Sequence, residues 1–527
     1  MNIFRVLSLD YVSSSSTNKY WTPITRELFG VVLDNNINAT SSSLSLVILN
    51  KVMSLSSSLE DEEEYYKYSF ASLYIALTFS DASVLSFKDV AVMADREEEE
   101  LMISVAKIMN LLDAKVYLPT LNFYISCLEK DGVIGGKTKT LADVLCLICH
   151  LHNYSYNYDQ QTLAKAICYL CISYSMDEKI DYTKQEYVFV KECVDAISGE
   201  YSSKMIEICR DLADRIPLMS IQYPDRKEIV SIPKVSNMPE VEFAYHLGSG
   251  GYGSVDLVVS EAGFPYARKT QIISNEFIAE IALLSQLKHE NVVSMISFSF
   301  GPEGVILMTP AQKTLTDEIY KNFDGDSTQR WYECFDYGKP PSEITLLRRV
   351  TRRYYLEDIY KGLSYIHSLG IIHRDIKPGN ILIENGIARI ADFGLSRLYT
   401  TTLRDDDPKQ AACFTTAYRP PELISALSNN IHLFPYSYEV DIWSFGVVIL
   451  EMETSCLFSM NHGKGNLETI FKVLGSPPKV YPYTYFPHYP SRRLECVSDV
   501  NLRRVITSFL SLDPKKRGKL SELDQIL

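Results

Sequence analysis

IIHRDIKPGNILI, residues 371–383, carries the most information of any stretch in this 527-residue chain. Its apolar ends place a polar loop between a helix and a β-like segment. Within that loop Asp375, Lys377 and Asn380 stand two and three residues apart, so a carboxylate, a cation and an amide oxygen share one short turn. Asp375 can orient an acceptor hydroxyl and take its proton, Lys377 can neutralise a terminal phosphoryl group, and Asn380 can hold Mg²⁺. Twelve residues further on, in ADFG, Asp392 adds a hard oxygen ligand of the kind that bridges Mg²⁺ to phosphates. Phosphoryl transfer needs this charge neutralisation more than it needs a strong base.

Upstream, HLGSGGYGSV (246–255) sets Gly248, Gly250 and Gly253 between two β-like runs. Backbone without Cβ can lie close over phosphates and donate N–H groups to them. A tight glycine hairpin with no ligand would look the same, but a strand rather than a helix follows, which speaks against a dinucleotide-binding unit and for a phosphate-covering hairpin. Lys269 in YARKT can hold the α- and β-phosphates, or be an ordinary surface lysine. Glu280, in the helix of NEFIAEIALLSQL, can pair with Lys269, or lie on a solvated helix face.

These motifs, in this order and at these distances, resemble the protein kinase family over about 290 residues. RPPE (Arg419–Glu422) stands where the family has its APE segment, with Pro420 in place of Ala; DIWSFG (Asp441–Gly446) matches its buried helix, and Arg517 follows DP. The resemblance implies an α+β bilobal fold over 241–527, ATP and Mg²⁺ as cofactors, and Ser/Thr protein substrates, since Lys377 follows the base by two residues. It implies Asp375, Lys377, Lys269, Glu280 and Thr415 as catalytic residues, Thr415 steadying Asp375. It places Leu247, Gly248, Gly250, Gly253, Val255, Ala267, Lys269, Met308 and Ala311 around ATP, with Thr309 and Pro310 also in the hinge, and Asn380 and Asp392 on the metal. Met308 has core packing as its other explanation.

LETIFKVLGSPP (467–478) and CLFSMNHGKGN (456–466) are similar to the branch holding cyclin-dependent and mitogen-activated kinases. FIAEIALLSQLKHENVV occupies the place of the cyclin-binding helix, although IISNE before it departs from the family signature. The activation segment, TTTLRDDDPKQAACFTTAYRPPE, has Gln410 where cyclin-dependent kinases carry the activating threonine. Arg374 is therefore expected to meet Asp405–Asp407, or phosphate on Thr400, Thr401 or Thr402, and activity is expected without an activating kinase. Phe414 replaces a smaller Val beside the acceptor, so proline-directed specificity rests on the resemblance alone. Tyr252 stands where related kinases carry an inhibitory phosphotyrosine, or simply packs. DGDSTQRWYECFDYGKPPSE reads as a surface insertion, with Trp331, Tyr332 and Phe335 packing it down or docking a partner.

The first half reads differently. Residues 1–19 form a tail, 20–216 read as successive helices at 3.6-residue periodicity, and the four prolines within 217–240 mark a linker. ASLYIALTFSD (71–81) followed by MISVAKIMNLLDAKVYLPTLNFYISCL (102–128) resembles a cyclin box, with Pro119, Thr120 and Phe123 at its Pro-Thr pair; QQTLAKAICYLC, with Ala164 and Ala166, fits a second repeat. Where cyclins carry Lys-Phe-Glu-Glu, this chain has Thr78, Phe79, Ser80 and Asp81. An unrelated all-α bundle is the alternative. A cyclin-like domain on a linker this short would act in cis, its ends about 25–30 Å apart and its effective concentration approaching millimolar.

A net charge of −14 disfavours nucleic acid and anionic membrane as partners. No apolar run reaches the length of a membrane span, and the N-terminus lacks a cleavable apolar segment, so an intracellular protein, cytoplasmic or nuclear, is expected. Cys146, Cys149, Cys168 and Cys171 have zinc-ribbon spacing but lie in apolar helical runs, which points to core cysteines. Glu97–Glu100 is expected to open a helix. A kinase-fold scaffold without activity is the rival from another class; its usual sign, a missing Lys, Asp or Asn, is not found here.

Overall fold

The computed structural model describes residues 39–55, 62–80, 85–116, 238–250, 253–320, 349–398, 402–404, 415–423, 433–455 and 494–527, with isolated positions between 124 and 168. Two compact units divide the chain, 1–236 and 237–527. Several readings fall outside the described residues: Pro119, Thr120, Phe123, Ala166, Tyr252, the aromatic insertion, Asp405–Asp407, Gln410, Phe414, the stretch 456–478, and Cys146, Cys149 and Cys171.

In the first unit the described elements are α1 (Ala39–Leu55), α2 (Glu62–Ser80), α3 (Phe87–Met93) and α4 (Glu98–Leu111). From Tyr68 to Phe79, α2 is buried, so no polar stripe separates its faces, as for a helix enclosed by its neighbours. Its hydroxyls turn back on their own turns: Thr78 Oγ1 donates to the Ile75 carbonyl at 2.6 Å, and Ser69 Oγ to that of Tyr66 at 2.7 Å. Thr78 and Phe79 are thus core residues, not a surface contact. Ser86 caps α3 through a capping box with Asp89, whose carboxyl is held below its usual range by those Ser86 hydrogen bonds. Glu98, Glu99 and Glu100 form the exposed first turn of α4, where carboxylates complement the helix dipole. Cys168 is buried, and among the described residues no cluster could hold a metal ion. No described helix is long and apolar enough to cross a membrane.

The second unit begins with β1 (Val241–Gly250), β2 (Gly253–Ser260), β3 (Pro265–Gln271), α5 (Asn275–Leu284), β4 (Met295–Phe300) and β5 (Gly304–Met308). The strands form one antiparallel sheet in the order β1-β2-β3-β5-β4. Ser274 caps α5, and every residue from Phe277 to Leu284 is buried. Then come β6 (Lys313–Thr314), α6 (Leu315–Tyr320), α7 (Arg349–Ser368), β7 (Ile371–Ile372), β8 (Ile381–Glu384), β9 (Ile387–Ile390), β10 (Arg397–Leu398), β11 (Thr402–Arg404), β12 (Leu433–Pro435), α8 (Glu439–Thr454) and α9 (Val500–Phe509). A sheet-rich lobe followed by a helical one is the expected α+β arrangement. Val440–Thr454 of α8 are all buried. Gly446 admits α9, since a Cβ there would sit 3.0 Å from both Phe509 Cβ and Leu510 Cδ2.

Candidate active site

The β1–β2 hairpin, β3, β5 and the β8–β9 hairpin surround a cleft of about 570 Å³. Of the residues expected around a nucleotide, Leu247, Gly248, Gly253, Val255, Ala267, Lys269, Met308 and Ala311 line it, together with Asn380 and Asp392. Gly250 ends β1 opposite Gly253. Gly253 is dictated by close approach, because a Cβ there would lie 2.2 Å from the Thr270 carbonyl oxygen. Met308 is both buried and cleft-lining, so its two explanations hold together. Val293, Leu382 and Ala391 also line the cleft and went unnamed in the sequence, where each is one apolar residue in an apolar run.

At the cleft's inner end Lys269 Nζ lies 2.8 and 2.7 Å from the Glu280 carboxylate oxygens and 2.9 Å from Asp392 Oδ1. Glu280, 1% exposed, also accepts from Gln271 Nε2 at 3.1 Å, which rules out a solvated helix face. Burial alone would lower the Lys269 ammonium, but the two carboxylates outweigh it and push it up. Burial raises Glu280 despite Lys269. For Asp392 burial acts upward too, yet Lys269 prevails and holds the carboxyl below its usual range.

The loop between β7 and β8 presents the second cluster. Asp375 Oδ1 accepts from Thr415 Oγ1 at 2.6 Å, and its Oδ2 from Lys377 Nζ at 2.6 Å and Asn380 Nδ2 at 2.8 Å. Lys377 Nζ also donates to Thr415 Oγ1 at 2.8 Å. Arg374 and Asp392 have φ of 71° and 67°, left-handed values that cost a non-glycine residue about 1–3 kcal/mol. Buried Asp441 of α8 supports the first: its carboxylate accepts from the backbone N–H of His373 at 2.7 Å and of Arg374 at 2.8 Å, and lies 2.9 Å from His367 Nε2. His373 is buried between Phe393 and the Ala391 carbonyl, and burial lowers its pKa below 6.5.

Partners beyond the sequence motifs complete the frame. Arg374 Nη1 donates to the Tyr436 hydroxyl at 2.8 Å, next to β12, which pairs with β11. Glu451 of α8 accepts from Tyr418 and from Tyr320 of α6, both at 2.6 Å. Arg517 grips Glu422 with two hydrogen bonds of 2.7 and 2.8 Å, both side chains buried, and stacks over Trp443 at 5.2 Å. Tyrosines give no periodic signal in sequence, so Tyr436 was not foreseeable there.

As oxygen donors lining one cleft, Asn380 and Asp392 suit Mg²⁺, and Lys269 suits the phosphates it would accompany. The family model of the protein kinase domain matches residues 241–526. The chain belongs to the protein kinase family. It is similar to mitogen-activated protein kinase HOG1 of Ustilaginoidea virens, 30% identical over 266 residues covering 47% of this chain and 65% of that protein. Protein kinase gsk3 of Schizosaccharomyces pombe is 28% identical over 275 residues, 51% of this chain and 65% of the relative. Mitogen-activated protein kinase 12 of Rattus norvegicus is 31% identical over 275 residues, 49% and 67% respectively. The chain thus spans less than two thirds of the first two relatives.

Proposed function

We propose that this chain is an ATP-dependent serine/threonine protein kinase of the branch that holds cyclin-dependent and mitogen-activated kinases. The observation that carries the proposal is the convergence of Lys269, Glu280, Asn380 and Asp392 on one cleft, with Asp375 hydrogen-bonded to Asn380 and held in turn by Lys377 and Thr415. Glu280 holds Lys269 toward the α- and β-phosphates of ATP. Lys377 faces the γ-phosphoryl and Asp375, fixed by Thr415, accepts the proton of the attacking hydroxyl. Asn380 and Asp392 would hold Mg²⁺, which would supply neutralisation of the phosphate charge. The full chain with Mg-ATP and a panel of Ser/Thr peptides, some with proline after the acceptor, is expected to transfer phosphate; Asp375→Asn is expected to bind nucleotide and transfer about 10²–10⁴-fold more slowly. No transfer by the unaltered chain to any acceptor sinks the proposal.

The finer reading takes residues 20–216 as a cyclin-like domain joined by linker 217–240 to the kinase domain, holding α5 inward in cis. It is supported by the cyclin-box resemblance and by the enclosed, small-residue helix α2. The relatives named above are mitogen-activated and gsk3 kinases, so placement nearest the cyclin-dependent kinases rests on residues 456–478. A protease site introduced into the linker tests it: cutting followed by dilution should lower activity, and undiminished activity refutes activation in cis.

A further inference from the structure

Side chains three residues apart on a regular strand point to opposite faces. In β1, His246 and Ser249 share a face because a bulge between His246 and Gly248 absorbs Leu247. Their contact is direct: Ser249 Oγ lies 2.9 Å from His246 Nε2. His246 stands opposite Asp256 of β2, which stands opposite Arg268 of β3. His246 Nδ1 is 2.9 Å from Asp256 Oδ1, and Arg268 Nη2 donates to Asp256 Oδ2 at 3.2 Å. An ionised carboxylate only accepts, so Nδ1 carries the hydrogen; in the neutral ring Nε2 is then the acceptor and Ser249 donates. Asp256 is held ionised below its usual range, chiefly by the hydrogen bond from His246.

The outcome is a four-residue chain, Ser249–His246–Asp256–Arg268, across three strands of the sheet. Val255 and Lys269, the neighbours of Asp256 and Arg268, line the cleft, so strand alternation puts His246, Asp256 and Arg268 on the opposite face, while Ser249 itself borders the cleft and joins the two. We propose that His246 is a positioning residue that latches the glycine-rich hairpin at Ser249, fixing its backbone over the nucleotide phosphates. Ser249 sits between Gly248 and Gly250, where backbone freedom is greatest and where the hairpin must stay ordered to donate N–H groups. Without the latch its hydroxyl competes for nearby backbone groups. The chain meets the cleft only through Ser249 of the hairpin and makes no hydrogen bond to Asp375, Lys377 or Thr415, so its effect falls on nucleotide affinity and not on phosphate transfer.

This inference rests on the nucleotide reading of the cleft, and its test separates the two. Binding of a fluorescent ATP analogue with Mg²⁺ is measured on the full chain and on Ser249→Ala, His246→Ala and the double variant, alongside kcat and KM for ATP. Each single variant is expected to weaken binding and raise KM about three- to tenfold with kcat unchanged. The double variant should match the weaker single one, since both break the same contact. Unchanged affinity in both single variants, additive losses, or a fall in kcat at constant KM overturns the latch while leaving the cleft's function intact. An unaltered chain that does not bind the analogue overturns both.

Discussion

Replacing Glu280 by Gln keeps the shape of the side chain and removes the charge that grips Lys269. In the wild type the ammonium makes two short bonds to Glu280 and one to Asp392. Charge-assisted hydrogen bonds contribute about 1.5–3 kcal/mol. Asp392 remains, so Lys269 is drawn to one side and loses the orientation needed for the phosphates. The loss of transition-state stabilisation is then about 1.5–3 kcal/mol, or about 10- to 150-fold in kcat/KM. Folding should respond differently. The trio changes from two negative charges and one positive to one of each, and the Gln carbonyl still accepts from Gln271 or Lys269. Removing a buried, desolvated charge offsets the weakened ion pair, and the unfolding midpoint should stay within about 3 °C. Initial rates over a matrix of ATP and peptide concentrations, paired with melting by circular dichroism, measure both quantities. Activity within twofold of wild type, or a large fall in melting temperature matching the lost activity, would refute the reasoning.

Arg517→Ala strands the buried carboxylate of Glu422, and should cost about 3–5 kcal/mol in a denaturant titration; a cost below 1 kcal/mol would contradict the buried bidentate geometry. Tyr436→Phe removes one acceptor of Arg374 and should lower kcat about three- to tenfold with KM for ATP unchanged, read by steady-state kinetics; an equal rise in KM would count against a link to Asp375. His373 is neutral in its buried site, with its folded pKa below the ordinary 6.5. The unfolded chain therefore binds the extra proton first as pH falls, so this stabilisation is full above about pH 6.5 and is lost beneath it. Unfolding free energies at pH 7.5 and 5.5 should fall more steeply in the wild type than in His373→Phe, and equal slopes would dismiss the assignment.

The chemistry of the cleft was legible because it is written in short, local spacings. Asp375, Lys377 and Asn380 share one loop, and Asp392 follows within twelve residues. Glu280 was legible as a candidate but not as a buried group, since its helix alone cannot show that α5 is enclosed on every side. Tyr436, Glu451 and Asp441 act across 62, 131 and 68 residues on Arg374, Tyr320 and His373, and no local pattern reports contacts of that range. The latch was hidden for another reason: a strand without its bulge would set Ser249 and His246 on opposite faces. In the first half, a series of helices was legible but not their individual bounds, and the identity of their fold depends on packing that local sequence does not encode.

The carboxylate of Asp441 imposes an order on how the molecule matures. During synthesis the loop bearing Asp375 leaves the ribosome well before Asp441, 67 residues after Arg374, has been added. Until that helix is made and enclosed, the left-handed turn at Arg374 lacks the acceptor that offsets its strain. Nascent chains ending before α8 therefore carry every side chain proposed for catalysis but not the anchored loop, and competence would arrive with the interior of the helical lobe.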